Sequence, residues 1–243
     1  MPELKNILFL DIETAPATAA FSEMNSELAR LWAEKVEQMK RRVPERYTDD
    51  STAESMFRES GIFAEFGRIV CVSVGFVFEA EGELHLKEKS FYGEDERQLL
   101  VEFASLLNKS YSSPCHYLCG HNAKEFDFPY IARRMVIHGI PLPEILSVSG
   151  KKPWEMRFLD TMDMWRFGDY KHYTSLKLLC AVLGVPTPKD DIDGSEVGHV
   201  FYEEKNLERI AVYCEKDVLA TLQVYLRMTG RKMILQNNVE KSV

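Results

Sequence analysis

The sequence predicts an α/β fold of three layers, with a mixed five-stranded sheet held between helices. Three observations carry that expectation. Residues 67–78, GRIVCVSVGFVF, are a long β-branched and aromatic run with the composition of a strand. A shorter apolar run, Ile7 to Leu10, stands near the start of the chain. The second half then alternates brief apolar runs with segments of helical periodicity, the pattern of strands joined by helices.

Taken in order, Ile7 to Leu10 is a buried strand that ends in two acids, Asp11 and Glu13. Phe21 to Arg42 reads as a helix, with Phe21, Met24, Leu28, Leu31 and Trp32 as its apolar stripe. Asp50 to Glu59 reads as a second short helix, so residues 17–62 form a helical insertion, either a cover for whatever the acids do or a peripheral helical pair. Arg68 to Phe78 is the next strand, and a turn at Glu81-Gly82 sends the chain back as Leu84 to Phe91, an antiparallel hairpin. Asp95 to Asn108 places Leu99, Leu100, Phe103, Leu106 and Leu107 on one helical face. A fourth strand carries His116 to Cys119, and a helix runs from Pro129 to His138. Arg157 to Leu159 makes the fifth strand, ending at Asp160, which is expected to serve the turn or support the acids rather than join them. Ser175 to Leu183 is helical and stops near Gly184 and Pro186, where the chain enters a loop. Leu207, Ile210, Ala211, Val218, Leu219, Leu222 and Leu226 mark a long final helix, Asn206 to Met228. The whole, residues 1–243, is read as one domain.

Composition narrows the function. Hydrophobic content of 45% suffices for a packed core. The formal charge of −8 argues against strong non-specific duplex binding, which rests on a basic excess. It fits a protein that is recruited to its target by a protein partner. Lys40 to Arg42, Arg133-Arg134 and Lys151-Lys152 are solvated faces or parts of a substrate path. The five cysteines lack paired metal-ligand spacing and read as buried thiols. His172 is a surface, packing or phosphate-contacting residue. With neither a secretory leader nor a membrane-length apolar stretch, a cytoplasmic protein is expected, with no membrane partner.

The acids point to chemistry. Alternate side chains of a strand share a face, so Asp11 and Glu13 project together. Burying two like charges is costly, and a shared cation is the usual remedy, although strand-end acids are also common as solvated turn residues. Asp127 stands at a helix start, where an acid suits the dipole or can serve as a ligand. Asn122, five residues earlier, is a turn former or a hydrogen-bond donor to phosphate or base. Tyr213 and Asp217, four apart, stack on one helical face.

LDIET, HNAKEFD and YCEKD, in that order, resemble the three exonuclease motifs of the DEDD superfamily of 3′–5′ exonucleases. The last motif has the spacing of the tyrosine subclass; in the histidine subclass His would stand where Val212 does. The likeness is nearest to stand-alone predicted exonucleases related to the proofreading domain of family B DNA polymerases, and KDDIDGSEV, residues 189–197, looks like a further signature of that group.

This resemblance implies a ribonuclease H-like arrangement and a metal-dependent 3′–5′ exonuclease. The implied site is Asp11, Glu13, Asp127 and Asp217 holding two ions, Mg²⁺ or Mn²⁺, with Tyr213 orienting the attacking water. Asp11 would bridge the ions, Glu13 and Asp217 would complete the water-activating one, and Asp127 would hold the other. Asn122 and Phe126 are the expected substrate contacts; Phe126, Tyr130 and Trp165 are candidates for stacking on bases, though each also suits a core. Single-stranded DNA 3′ ends are the favoured substrate. RNA 3′ ends, and a non-catalytic nucleic-acid-binding module on the same fold, are the alternatives.

Overall fold

A computed structural model describes residues 1–48, 50–169, 171, 173–186 and 192–241. The sheet consists of β1 (Ile7–Pro16), β2 (Gly67–Ala80), β3 (Glu83–Tyr92), β4 (Tyr117–Gly120), β5 (Phe158–Asp160) and β6 (Val239–Lys241), in the order β5-β4-β1-β2-β3-β6. β1, β2 and β3 are antiparallel neighbours, while β4 lies parallel to β1 and β5 parallel to β4. This is the ribonuclease H-like arrangement with one strand more than expected. The extra strand, β6, pairs in parallel with β3 at the far edge.

The helices are α1 (Ser26–Arg42), α2 (Glu96–Ser110), α3 (Asp127–Ile137), α4 (Thr161–Arg166), α5 (Leu176–Leu183), the single turn α6 (Val197–His199) and α7 (Leu207–Met228). A π turn, Val200–Glu204, extends α6. Several ends follow from local chemistry. Asn25, Asp95, Ser175 and Asn206 each accept a backbone N–H at the start of a helix, satisfying donors that no helical carbonyl can reach. Gly184 closes α5 at φ 66°, and the β2–β3 turn is made by Glu81 and Gly82 at φ 54° and 79°. No helix among the described residues is long and apolar enough to cross a membrane.

Strand β1 sorts the molecule into its layers. Leu8, Leu10 and Ile12 pack with Leu99, Leu100 and Phe103 of α2 and with Phe128 and Ile131 of α3. Ile7 and Phe9 point the other way, into Val218, Leu222 and Tyr225 of α7. The alternation of a strand therefore puts the odd-numbered residues, including Asp11 and Glu13, on the face that α7 covers.

Two sequence expectations in the insertion are corrected. Phe21 to Arg42 is not one helix: Phe21–Glu23 is a 3₁₀ turn, and α1 starts only after the Asn25 cap. The second helix is a 3₁₀ segment, Phe57–Ile62, shifted toward β2. Met24, Trp32, Val36, Met56, Phe57 and Phe66 make a satellite core, but Leu28 lies outside it, exposed. Arg134 is not a free basic group either. It is buried and makes two hydrogen bonds to Glu96, at 2.8 and 2.6 Å, while Glu96 also accepts from the Ile69 N–H. Burial pushes the Glu96 carboxyl up, but the Arg134 hydrogen bonds and charge outweigh it and hold it below the usual value.

Candidate active site

β1 does not stop at its acids; it runs through them to Pro16, with a register shift between Glu13 and Thr14. The two carboxylates thus sit on rigid, paired backbone. Glu13 is buried and Asp11 half-buried. α7 crosses this face with Tyr213, Cys214 and Asp217 along one side, all half-buried or buried. The Cys214 thiol donates to the Asp11 backbone oxygen at 3.3 Å and to its Oδ2 at 3.4 Å.

Asp127 arrives from the opposite layer. It is the first residue of α3 and is buried, and its Oδ1 accepts the Ile12 N–H at 3.1 Å, between the two acids of β1. The loop that delivers it is held by Asp160, which accepts the N–H groups of Asn122 and Lys124 at 3.0 Å each and caps α4 as well. Asp160 therefore supports the acids from beside them, as expected. Gly120 permits the close turn: a β-carbon there would overlap Ala123 and press on the Leu10 carbonyl.

Electrostatics register the convergence. Burial, then the charges of Asp127, Glu13 and Asp217, push the Asp11 carboxyl well above its ordinary value. Glu13 is raised by burial first and then by Asp217, Cys71 and Asp127. Asp127 is pushed up to about 7, by burial and by Asp160 and Asp217, despite its backbone hydrogen bonds. Four carboxylates from β1, α3 and α7 thus lie within reach of one another's charge. Such a set of hard oxygen donors is costly to bury as anions and suits divalent cations. Among the described residues, Asp11, Glu13 and Cys214 are the group whose ligand atoms all lie within 4.8 Å of one another.

The thiol was not singled out from the sequence. Cys71, opposite Glu13 in the β1–β2 register, is also buried, and a polar row runs on from it: Cys71 to Ser73 at 3.5 Å, Ser73 to Ser90 at 2.8 Å, and Ser90 to Glu215 at 2.8 Å. The pairing of β2 with β3 makes this row, so it is invisible before register is known. Cys115 is exposed, against the expectation of buried thiols.

Asn122 adopts φ 58°, a left-handed conformation that Asn tolerates, and its buried Oδ1 has no hydrogen-bond partner. Phe126 is half-buried, its ring 5.3 Å from that of Tyr130. Tyr130 is not available for stacking: it is buried, and its hydroxyl donates to the Gly61 carbonyl at 2.7 Å. Trp165 packs against the core between α5 and α7. His172 and residues 187–191, which include the start of KDDIDGSEV, lie outside the described residues. A cavity of about 390 Å³ opens between Thr14 and Pro16 of β1, the Phe57–Ile62 segment, and the Gly194–Glu203 stretch.

A family model described as a predicted 3′–5′ exonuclease related to the exonuclease domain of PolB matches residues 62–242. The chain belongs to that family. It is accordingly an enzyme, a 3′–5′ exonuclease, and the matched span contains Asp127, Tyr213 and Asp217. β1, which carries Asp11 and Glu13, precedes the matched span of this PolB-related exonuclease; the fold brings those two acids to the other two. Among solved structures, the RNase domain of the yeast Pop2 protein is similar, with 9% identity and a TM-score of 0.43, covering 97% of this chain and 81% of that one.

Proposed function

We propose that this exonuclease removes nucleoside monophosphates stepwise from the 3′ end of single-stranded nucleic acid, DNA in preference to RNA. Asp11, Glu13, Asp127 and Asp217 would hold two divalent ions, Mg²⁺ or Mn²⁺. The observation that carries the reading is the meeting of four carboxylates from three separate elements, each of the three with a resolved shift being pushed upward. When bound, the ions neutralise the anionic phosphodiester and bring the attacking water's pKa toward neutrality.

The chain's own groups do the rest. Tyr213, on the helix that carries Asp217, is a poor general base, since a phenol ordinarily ionises near about 10; it holds and orients the water by hydrogen bonding. Glu13 shares that water or meets the terminal 3′ hydroxyl. Asn122 offers its orphan Oδ1 to a donor on the substrate, and Phe126 gives an edge for a base. The cavity beside Thr14 is of a size for a terminal nucleoside, with the insertion as one wall. Preference for DNA is supported by the family's relation to PolB. A cytoplasmic enzyme fits the burial of four of its cysteines outside any disulfide, and the net charge of −8 fits recruitment by a protein partner.

A 5′-labelled single-stranded DNA and its RNA counterpart, incubated with Mg²⁺, Mn²⁺ or EDTA, test the proposal. A ladder of shortening products that keep the label, lost in EDTA, is expected. Failure to shorten either substrate overturns the catalytic reading in favour of a binding module.

A further inference from the structure

Among its described residues, the segment between α4 and α5 carries two largely exposed aromatic side chains: Phe167 is 88% exposed and Tyr173 is 66% exposed. Phe167 is held at φ 45°, followed by Gly168 at φ 93°. A left-handed backbone is uncommon for a bulky residue, and here it caps the C-terminus of α4 with the ring turned to solvent.

The segment is also tied, through Thr174, to His121 in the loop that delivers Asp127. The Asp169 N–H donates to the Arg166 carbonyl at 2.8 Å, and the Lys171 N–H to Asp169 Oδ1 at 3.0 Å. At its far end, His121 Nε2 donates to the Thr174 carbonyl at 2.9 Å, and its Nδ1 meets the Thr161 hydroxyl at 2.9 Å. Burial keeps this imidazole neutral by lowering its pKa, so with Nε2–H donating to the carbonyl, Nδ1 accepts. His121 immediately precedes Asn122 in the loop that delivers Asp127. The Tyr173 phenol lies close enough to feel the Asp127 charge, which adds to burial in raising its pKa.

We propose that Phe167 and Tyr173 form a stacking platform for the bases immediately 5′ of the nucleotide being removed. The idea rests on the exonuclease reading and deepens it, because it assigns what holds the single strand. Every base has a π face, so the platform tolerates sequence, whereas paired bases are already stacked within their duplex. It also accounts for how a chain of net charge −8 grips a polyanion: much of the affinity comes from rings, with Lys171 exposed beside them. Binding should then depend weakly on salt.

The test is the double variant Phe167→Asn, Tyr173→Ala in the full chain. Asn accepts the left-handed backbone, so the loop keeps its path. With a twelve-nucleotide oligothymidylate, KM should rise roughly tenfold or more while kcat changes little, and Phe167→Trp with Tyr173→Trp should restore it. On the p-nitrophenyl ester of thymidine 5′-monophosphate, which has no upstream base, the loss should be much smaller. An unchanged KM on the oligonucleotide, or an equal loss on both substrates, overturns the platform. If wild type cleaves neither substrate, the exonuclease reading fails on its own. Anisotropy of a fluorescent oligothymidylate in Ca²⁺ then still decides the platform: weaker binding by the double variant supports it, and equal binding overturns it.

Discussion

The carboxylate cluster should make the metal-free protein less stable as pH rises, and metal should undo the loss. Asp127 is 4% exposed and its pKa is pushed up to about 7 from an ordinary 3.8. Between those two values the unfolded chain has released a proton that the folded chain still holds. The folded state binds more protons there, so stability falls as pH rises through this window and levels off above it. A shift of roughly three units at 1.36 kcal/mol each is about 4 kcal/mol from this one group. Asp11 and Glu13 are shifted in the same direction. For a domain of this size, 4 kcal/mol moves Tm by roughly 10 °C. Calorimetry in EDTA should therefore show Tm dropping between about pH 5 and about pH 8. Saturating Mn²⁺ or Mg²⁺ should raise Tm most at the alkaline end, where the ionised carboxylates bind cations best. A Tm in EDTA that is level with pH, together with indifference to both ions, would refute the clustering argument.

Asp11→Asn and Asp217→Asn should each cut kcat on the order of a thousandfold while raising Tm in EDTA at alkaline pH, since each removes one repelling charge; steady-state assays and calorimetry on the same samples check both. Tyr213→Phe should retain measurable turnover, with a loss under about a hundredfold in single-turnover kinetics; complete loss would make the phenol essential. Glu96→Ala strands the buried Arg134 guanidinium and should cost about 3–5 kcal/mol in urea unfolding near neutral pH, with kcat per folded molecule preserved. Because the Glu96 carboxyl is held low, the stability it contributes is present above the unfolded carboxylate pKa and fades as pH falls.

Much of this architecture was legible because a few segments carry long, unambiguous patterns. The β2 run, the Glu81-Gly82 turn, the periodic face of α2 and the 22 residues of α7 sit within two residues of their sequence boundaries. The acids could be grouped because their motifs stand in order, yet only the faces of β1 show why Asp11 and Glu13 meet α7. Short elements were not legible. β6 is three residues without alternation, and α4 is a six-residue helix set by the Asp160 cap rather than by periodicity. Arg134 looked like a surface cation because its partner, Glu96, is 38 residues away. Tyr130 and Trp165 suited a core as well as stacking, and only packing decides between them, because aromatic composition does not distinguish a core ring from a displayed one. Phe167 and Tyr173 are displayed by the left-handed end of α4 and by a loop held at Thr174, neither of which the sequence pattern announces.

The most direct measurement is anomalous scattering from crystals grown with Mn²⁺ at a pH above that at which Asp127 titrates. The account predicts two peaks about 4 Å apart, enclosed by the side chains of Asp11, Glu13, Asp127 and Asp217. Peaks confined to other parts of the surface, with none among those four carboxylates, would contradict it.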